Sequence, residues 1–328
     1  MVLLPTIKQS LTTLPTHLTA VFVGGTSGIG KFTLLALAQH CAHPTIYIVG
    51  RSQASATQLQ SRLHSINPNG AYHFLASDIA LIKNVDTVCE ELRKKEKHIN
   101  LLVLSQGLFG MGQDTEEGIR SGASLVLHSR TRFILNLLPL LQAAPPGQLR
   151  RVLSVFCGTK EGPTTNAADI QMRSASSPMK ARAQAATMLT LLLEEVAARA
   201  PDVGFVHDFP GFVNGNSARG GGWGMSAIRA VFTVIGPLLY IPDEEVGERH
   251  LWLATSGVFG GRTDGGSKMA VGSNGEVGSG VYVVDEKCDV AKEGVLKVLK
   301  DERAKGTREI VWGELRKDFV RITGKESL

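Results

Sequence analysis

Short apolar runs alternate with amphipathic stretches of helical length from about residue 18 to residue 210. Thr19-Ala20-Val21-Phe22-Val23 ends in glycines and reads as a strand buried on both faces. Gly30 to Cys41 follows with helical periodicity. The same alternation predicts strands over 45–49, 72–76, 101–104, 151–156 and 203–207. Helices are expected over 54–66, 84–97, 121–142 and 177–199. Strands separated by helices of this length imply a parallel sheet covered on both faces, an α/β doubly wound architecture.

After Gly211 the pattern changes. Residues 214–224 are rich in glycine, 226–240 are apolar, and 257–280 read as a Gly/Ser loop. Val281-Tyr282-Val283-Val284 is a late strand that could join the sheet edge, and two charged helices close the chain. This tail reads as decoration on one domain: residues 1–285 form the domain and 286–328 a helical extension. Gly220, Gly221, Gly222 and Gly224 offer hinge freedom, and Trp223, Met225, Ile228, Val231 and Phe232 offer apolar surface. The segment from about 214 to 240 is therefore a candidate lid over a bulky hydrophobic substrate, with a dimer or membrane-touching surface as the alternative.

Composition narrows the classes. The formal charge of +5 is spread along the chain and interleaved with acids, as in Glu90-Glu91-Leu92-Arg93-Lys94. No nucleic-acid partner is expected, and surplus positive charge is better placed beside cofactor phosphates. Cys41, Cys89, Cys157 and Cys288 show neither metal-ligand nor disulfide spacing and read as reduced thiols in a cytoplasmic protein, with no metal. The start lacks a basic stretch before its short apolar run, so no signal peptide is expected. The apolar run 231–242 is too short to span a bilayer, and stable membrane insertion is not expected. A homodimer is left open.

Val23-Gly24-Gly25-Thr26-Ser27-Gly28-Ile29-Gly30 joins the first strand to the first long helix. The first glycine permits a tight turn, and the later two let a pyrophosphate approach the helix N-terminus. Strand two ends Val49-Gly50-Arg51-Ser52. A ribose 2′-hydroxyl is held by an acid at this point, whereas a 2′-phosphate needs a cation and hydroxyl donors. Arg51 and Ser52 therefore favour NADP(H) over NAD(H); the alternative is a solvated loop arginine.

On these residues the chain resembles the short-chain dehydrogenase/reductase family, and does so along most of its length. The family's glycine motif is matched by Gly24, Gly28 and Gly30, with Val23 in place of the leading Thr. Its acid beside the adenine is matched by Asp78-Ile79, and its Pro-Gly after strand six by Pro210-Gly211-Phe212-Val213, with Asn214 where Thr is usual. The N-N-A-G after strand four reads Leu104-Ser105-Gln106-Gly107. Residues 128–141 and Gly247-Glu248-Arg249-His250-Leu251 look like a subgroup common in fungal secondary metabolism. The resemblance implies cofactor contacts from Gly24, Thr26, Ser27, Gly28, Ile29, Gly30, Arg51, Ser52, Asp78, Ile79, Gln106, Gly107, Pro210, Gly211 and Val213.

The family's catalytic Asn, Ser, Tyr and Lys do not follow. The four tyrosines are Tyr47, Tyr72, Tyr240 and Tyr282, so none falls between strand five and Pro210 in any register. The Asn position falls near Val126 and the Ser position near Phe156 or Cys157. Ser176 and Lys180 keep the Tyr-x-x-x-Lys spacing, but an alcohol is too weak an acid to replace a phenol. Lys180, Arg182, His128 and Cys157 are the candidate donors, each with a packing or solvent-facing alternative. Three readings stay open: an NADP(H)-dependent oxidoreductase without the usual machinery, a non-redox isomerase, cyclase or dehydratase, and a redox-inactive NADP-binding partner or sensor.

Overall fold

The computed structural model describes residues 2–108, 110, 112–211, 213, 240–265 and 268–328. The candidate lid over 214–239 lies outside the described residues. Seven strands form one sheet: β1 (His17–Val23), β2 (His43–Gly50), β3 (Ala71–Ala76), β4 (Leu101–Leu104), β5 (Arg151–Val155), β6 (Gly204–Asp208) and β7 (Val281–Val284). Their order is β3-β2-β1-β4-β5-β6-β7, and every pairing is parallel, with Ala20 opposite both Ile46 and Leu101. The order reverses between β1 and β4, which opens a crevice at the strand C-termini where ligands bind in such sheets.

Helices cover both faces. Side chains alternate across the strands, so Val21, Val23, Leu102 and Leu104 feed one core and Ala20, Phe22, Leu101 and Val103 the other. The second face carries α1 (Leu4–Leu11), α2 (Gly28–His40) and α3 (Gln53–Ile66). The first carries α4 (Ile82–Lys95), a long composite helix and α7 (Pro178–Ala197). The composite helix runs through α5 (Ser121–Ala123), a π turn (Ser124–His128) and α6 (Ser129–Gln142).

Helix α8 (Asp243–Thr255) packs along α2 so closely that a Cβ on Gly247 would lie 2.6 Å from the Phe32 carbonyl oxygen. The neighbouring Glu248 is buried and meets His40 Nε2 at 2.9 and 3.0 Å. His250 Nε2 lies 2.9 Å from Asp208 at the end of β6. The run Gly247–Leu251 therefore joins α2 to the last turn of the sheet.

The C-terminal helices α9 (Glu293–Ala304) and α10 (Thr307–Thr323) are not decoration. Val311, Trp312, Leu315 and Phe319 of α10 belong to the larger core, between α4, α6 and α7. Their charged residues masked this in the sequence, because only one stripe of α10 is apolar. The short apolar run at the start forms helix α1, with Pro5 in its first turn and its own Ile7 and Leu11 buried.

Candidate active site

The crevice is built by the loops that leave β1 to β6. Gly24 has φ +85°, and a Cβ there would lie 2.7 Å from the Gln106 nitrogen, so only glycine lets the first loop pass the end of β4. A Cβ on Gly30 would collide with Ser105 Oγ and lie 3.0 Å from the Gly24 carbonyl oxygen, so α2 begins hard against the strand ends. Ser27 makes no capping bond, which leaves the first-turn N–H groups of α2 facing the loop formed by Thr26, Ser27, Gly28 and Ile29. Such a helix end attracts an anion.

The other predicted contacts surround this loop. A Cβ on Gly50 would lie 2.9 Å from Thr26 Cγ2, so the end of β2 touches the glycine loop. Arg51 follows, exposed and with no acidic partner among the described residues, and Ser52 accepts the Ser55 N–H at 3.2 Å to cap α3. Asp78 is exposed and Ile79 buried, with Asp78 Oδ1 accepting the Ala80 N–H at 3.1 Å. Gly211 after Pro210 has φ +73°, and a Cβ there would lie 2.9 Å from Glu286 Cβ. Val213 makes an isolated parallel bridge with Ile241; Phe212 and Asn214 lie outside the described residues. Gln106 is buried with its Oε1 unpartnered among the described residues, and open space surrounds Gly107. An open helix end, a free cation beside a hydroxyl, and an orphaned amide oxygen fit a phosphorylated dinucleotide.

The other half of the site is a small cleft of about 50 Å³ beyond β4 and β5. Its wall is Leu108, Gly110, Gly122, Val126, Phe156, Met172, Pro178, Ala181, Arg182 and Ala185. Val126 lies in the π turn, and such turns are frequent at functional sites. Pro178 and Arg182 stand one helical turn apart on α7, the spacing of the family's Tyr and Lys.

The four candidate donors separate. His128 is fully buried, its Nε2 3.0 Å from Asp318 of α10 and its ring edge-on to Phe319, and it does not line the cleft. Lys180 is exposed in the first turn of α7 and does not line the cleft either. Ser176 precedes the helix, exposed. Cys157 is 3% exposed, and burial pushes its thiol up despite the opposing pull of Arg182, so it is a neutral thiol rather than a nucleophile. Arg182 is partly buried in the wall, donates to Cys157 Sγ at 2.9 Å and lies 5.4 Å from the Phe156 ring centre.

Two groups that hold this wall were not read as functional in the sequence. Arg130 is buried at the root of the cleft, and all its N–H donors are used: it donates to Leu104 O, Gln106 O, Val155 O, Ser154 Oγ and Leu125 O at 2.5–3.3 Å. It thereby ties the ends of β4 and β5 together, and burial lowers its pKa to about 9. An arginine inside an apolar helix with no acid nearby was the available signal. His207 accepts the Cys157 N–H on Nε2 at 3.2 Å, so Nδ1 carries the proton. Nδ1 donates to Thr190 at 2.8 Å, and Thr190 donates to buried Glu161 at 2.8 Å. His207 also stacks on Phe156, with ring centres 6.3 Å apart, and so fixes the turn that carries Phe156 and Cys157.

Residues 18–161 match the model of the short chain dehydrogenase family. Oxidoreductase AN1596 of Emericella nidulans is 35% identical over 95% of this chain and 96% of its own. The short-chain dehydrogenase/reductase SAT2 of Stachybotrys chartarum is 30% identical over 87% of this chain and 88% of its own. The chain belongs to the short-chain dehydrogenase/reductase family. The RhlG/NADP active-site complex of Pseudomonas aeruginosa superposes with a TM-score of 0.57 at 18% identity, over 75% of this chain and 93% of that one. Among the described residues no helix is long and apolar enough to cross a membrane, and no group of three or more His, Cys, Asp or Glu could hold a metal.

Proposed function

We propose that this protein is an NADP(H)-dependent oxidoreductase that moves a hydride between the nicotinamide and a carbonyl carbon of a bulky apolar small molecule, with Arg182 in place of the missing tyrosine. The observation that carries this reading is an apolar cleft beyond the C-terminal ends of β4 and β5 whose cationic wall residue is Arg182. Relatives solved with NADP or NADPH, and fungal oxidoreductases as curated relatives, support the cofactor and a role in fungal secondary metabolism.

The cofactor's phosphates would be held by the first turn of α2 and its 2′-phosphate by Arg51 and Ser52. When bound, NADPH supplies the hydride. As the carbonyl carbon accepts it, the π pair moves onto oxygen, and Arg182 stabilises the developing alkoxide by charge-assisted hydrogen bonds. The guanidinium keeps its proton; the alkoxide takes one from water. Phe156, Val126 and Met172 exclude solvent from the rest of the substrate, which strengthens that electrostatic contact.

Single-turnover absorbance at the NADPH band tests this with a panel of aryl and alkyl ketones. One equivalent of NADPH consumed per product is expected. Product formed with none consumed would replace the reading by a non-redox isomerisation, cyclisation or dehydration. Arg182→Gln should lower kcat by about 10²–10³-fold, the cost of losing one oxyanion donor, with NADPH affinity unchanged. An unaltered kcat removes Arg182 from the chemistry.

A further inference from the structure

The guanidinium of Arg182 on the cleft wall has no acidic partner among the described residues. A guanidinium carries five N–H donors, and among the described residues only one of Arg182's is taken, by a neutral thiol. Arg130, 5.9 Å from the same Phe156 ring, donates to carbonyl and hydroxyl oxygens, and the charge of buried Asp208 favours its protonated form. Buried cations ordinarily have an anionic partner, because desolvation is otherwise costly. Buried Arg132 follows this, meeting Asp86 at 2.6 Å through both Nε and Nη2; buried Arg151 does not, donating only to the carbonyl oxygens of Leu253 and Ser256 at 3.3 and 3.0 Å. Arg182, partly buried, presents its unbonded donors on the wall of a cleft whose remaining surface of Leu108, Val126, Met172 and Ala181 is apolar.

We infer that the missing anion is on the substrate: the compound that enters the cleft carries an anionic oxygen beside the carbonyl that is reduced, and Arg182 grips both oxygens with one planar fork. Two chemistries present such a pair, a 2-oxo carboxylate and the enolate of a 1,3-dicarbonyl. Both match the fork of a guanidinium, which binds two syn oxygens through parallel N–H bonds. An isolated ketone offers one oxygen and leaves the charge unpaired. This inference rests on the reductase reading for which carbonyl reacts, but the binding preference itself needs no hydride transfer.

Calorimetric titration of the NADP+-loaded full-length protein tests it, with three probes that share a phenyl group: 2-oxo-4-phenylbutyrate, its ethyl ester, and 1-phenylbutane-1,3-dione. At least tenfold tighter binding of the acid than of the ester is expected, and this preference should disappear in Arg182→Gln while persisting in part in Arg182→Lys, which keeps the charge and loses the fork. A dione that binds more tightly as the pH rises through its enol ionisation, with the acid no better than its ester, identifies the enolate as the source. Equal binding of acid and ester with a pH-independent dione, or binding of none of the three, overturns the inference. NADPH oxidation with the neutral 4-phenylbutan-2-one is measured alongside. If that ketone turns over as fast as the acid, the reductase reading stands and the anion requirement falls. If the acid binds through Arg182 but no NADPH is consumed with any probe, the anion site stands and the reductase reading falls.

Discussion

Arg51 and Arg182 show how much a single side chain decides when its partners are missing. Arg51 is exposed at the end of β2, free of acids among the described residues, and beside the hydroxyl of Ser52. A charge-assisted hydrogen bond to a 2′-phosphate is worth about 1–3 kcal/mol. Arg51→Ala should therefore weaken NADPH binding by that amount and leave NADH binding unchanged, as measured by fluorescence titration with each cofactor. Equal losses for the two cofactors would mean that Arg51 is a solvated loop residue.

At the scale of elements, the two loops that wall the cleft are tied to the C-terminal hairpin. Helix α9 reaches the loop after β5 through buried Glu302, which bonds the Thr164 hydroxyl, accepts from Thr307 at 2.8 Å and pairs with Lys305 at 2.6 Å. Helix α10 reaches the loop after β4 through Arg321, which donates to Glu117 O at 2.9 Å. Glu117 in turn caps α4, accepting the N–H groups of Ile82 and Lys83 at 2.6 and 3.0 Å. Asp318 accepts from His128 in the π turn. Burial raises the Asp318 carboxyl, but the bonds from His128 and Arg321 outweigh it and hold the group below the ordinary value of 3.8. A depressed carboxylate stabilises the fold above its unfolded pKa and loses that contribution as the pH falls through its folded value. Asp318→Asn should thus be less stable than the parent at pH 7, with the gap closing below about pH 3.8 in acid-unfolding curves followed by circular dichroism. A gap that stays constant with pH would show that packing rather than charge holds α10 to the π turn.

For the whole molecule, the question is whether residues 286–328 are an extension or part of one folding unit. The buried face of α10 contributes Val311, Trp312, Leu315 and Phe319 to the larger core, and Phe319 lies 5.1 Å under the Arg132 guanidinium. Removing four fully buried or nearly buried large apolar side chains costs about 2–5 kcal/mol each, more than the marginal stability of a typical domain. Truncation after residue 285 should give a chain without a cooperative thermal transition. A truncated protein that melts cooperatively and binds NADPH would make 286–328 a separate extension after all.

The order of strands and helices, the glycine loop, Arg51 and the loss of the tyrosine were all legible in the chain. Each rests on local causes: apolar periodicity, the conformational freedom of Gly24, the reach of a charge from one strand end, and a count of tyrosines. Strand limits read this way fall within a few residues of those observed, as in 19–23 against His17–Val23. The assignments made by tertiary contact were not legible. Lys180, Arg182, His128 and Cys157 are equivalent in sequence as polar residues near the right helices, and only packing sends His128 to Asp318, leaves Lys180 exposed and turns Arg182 into the cleft. Arg130 gains its role only when the ends of β4 and β5 meet around it. The sequence by itself determined the sheet, its cofactor loop and the absence of the phenol, because these follow from residues close along the chain. The tertiary structure alone decided which cation lines the cleft and that the apolar stripe of α10 is core, because those depend on residues far apart in sequence whose contacts form only when the layers close.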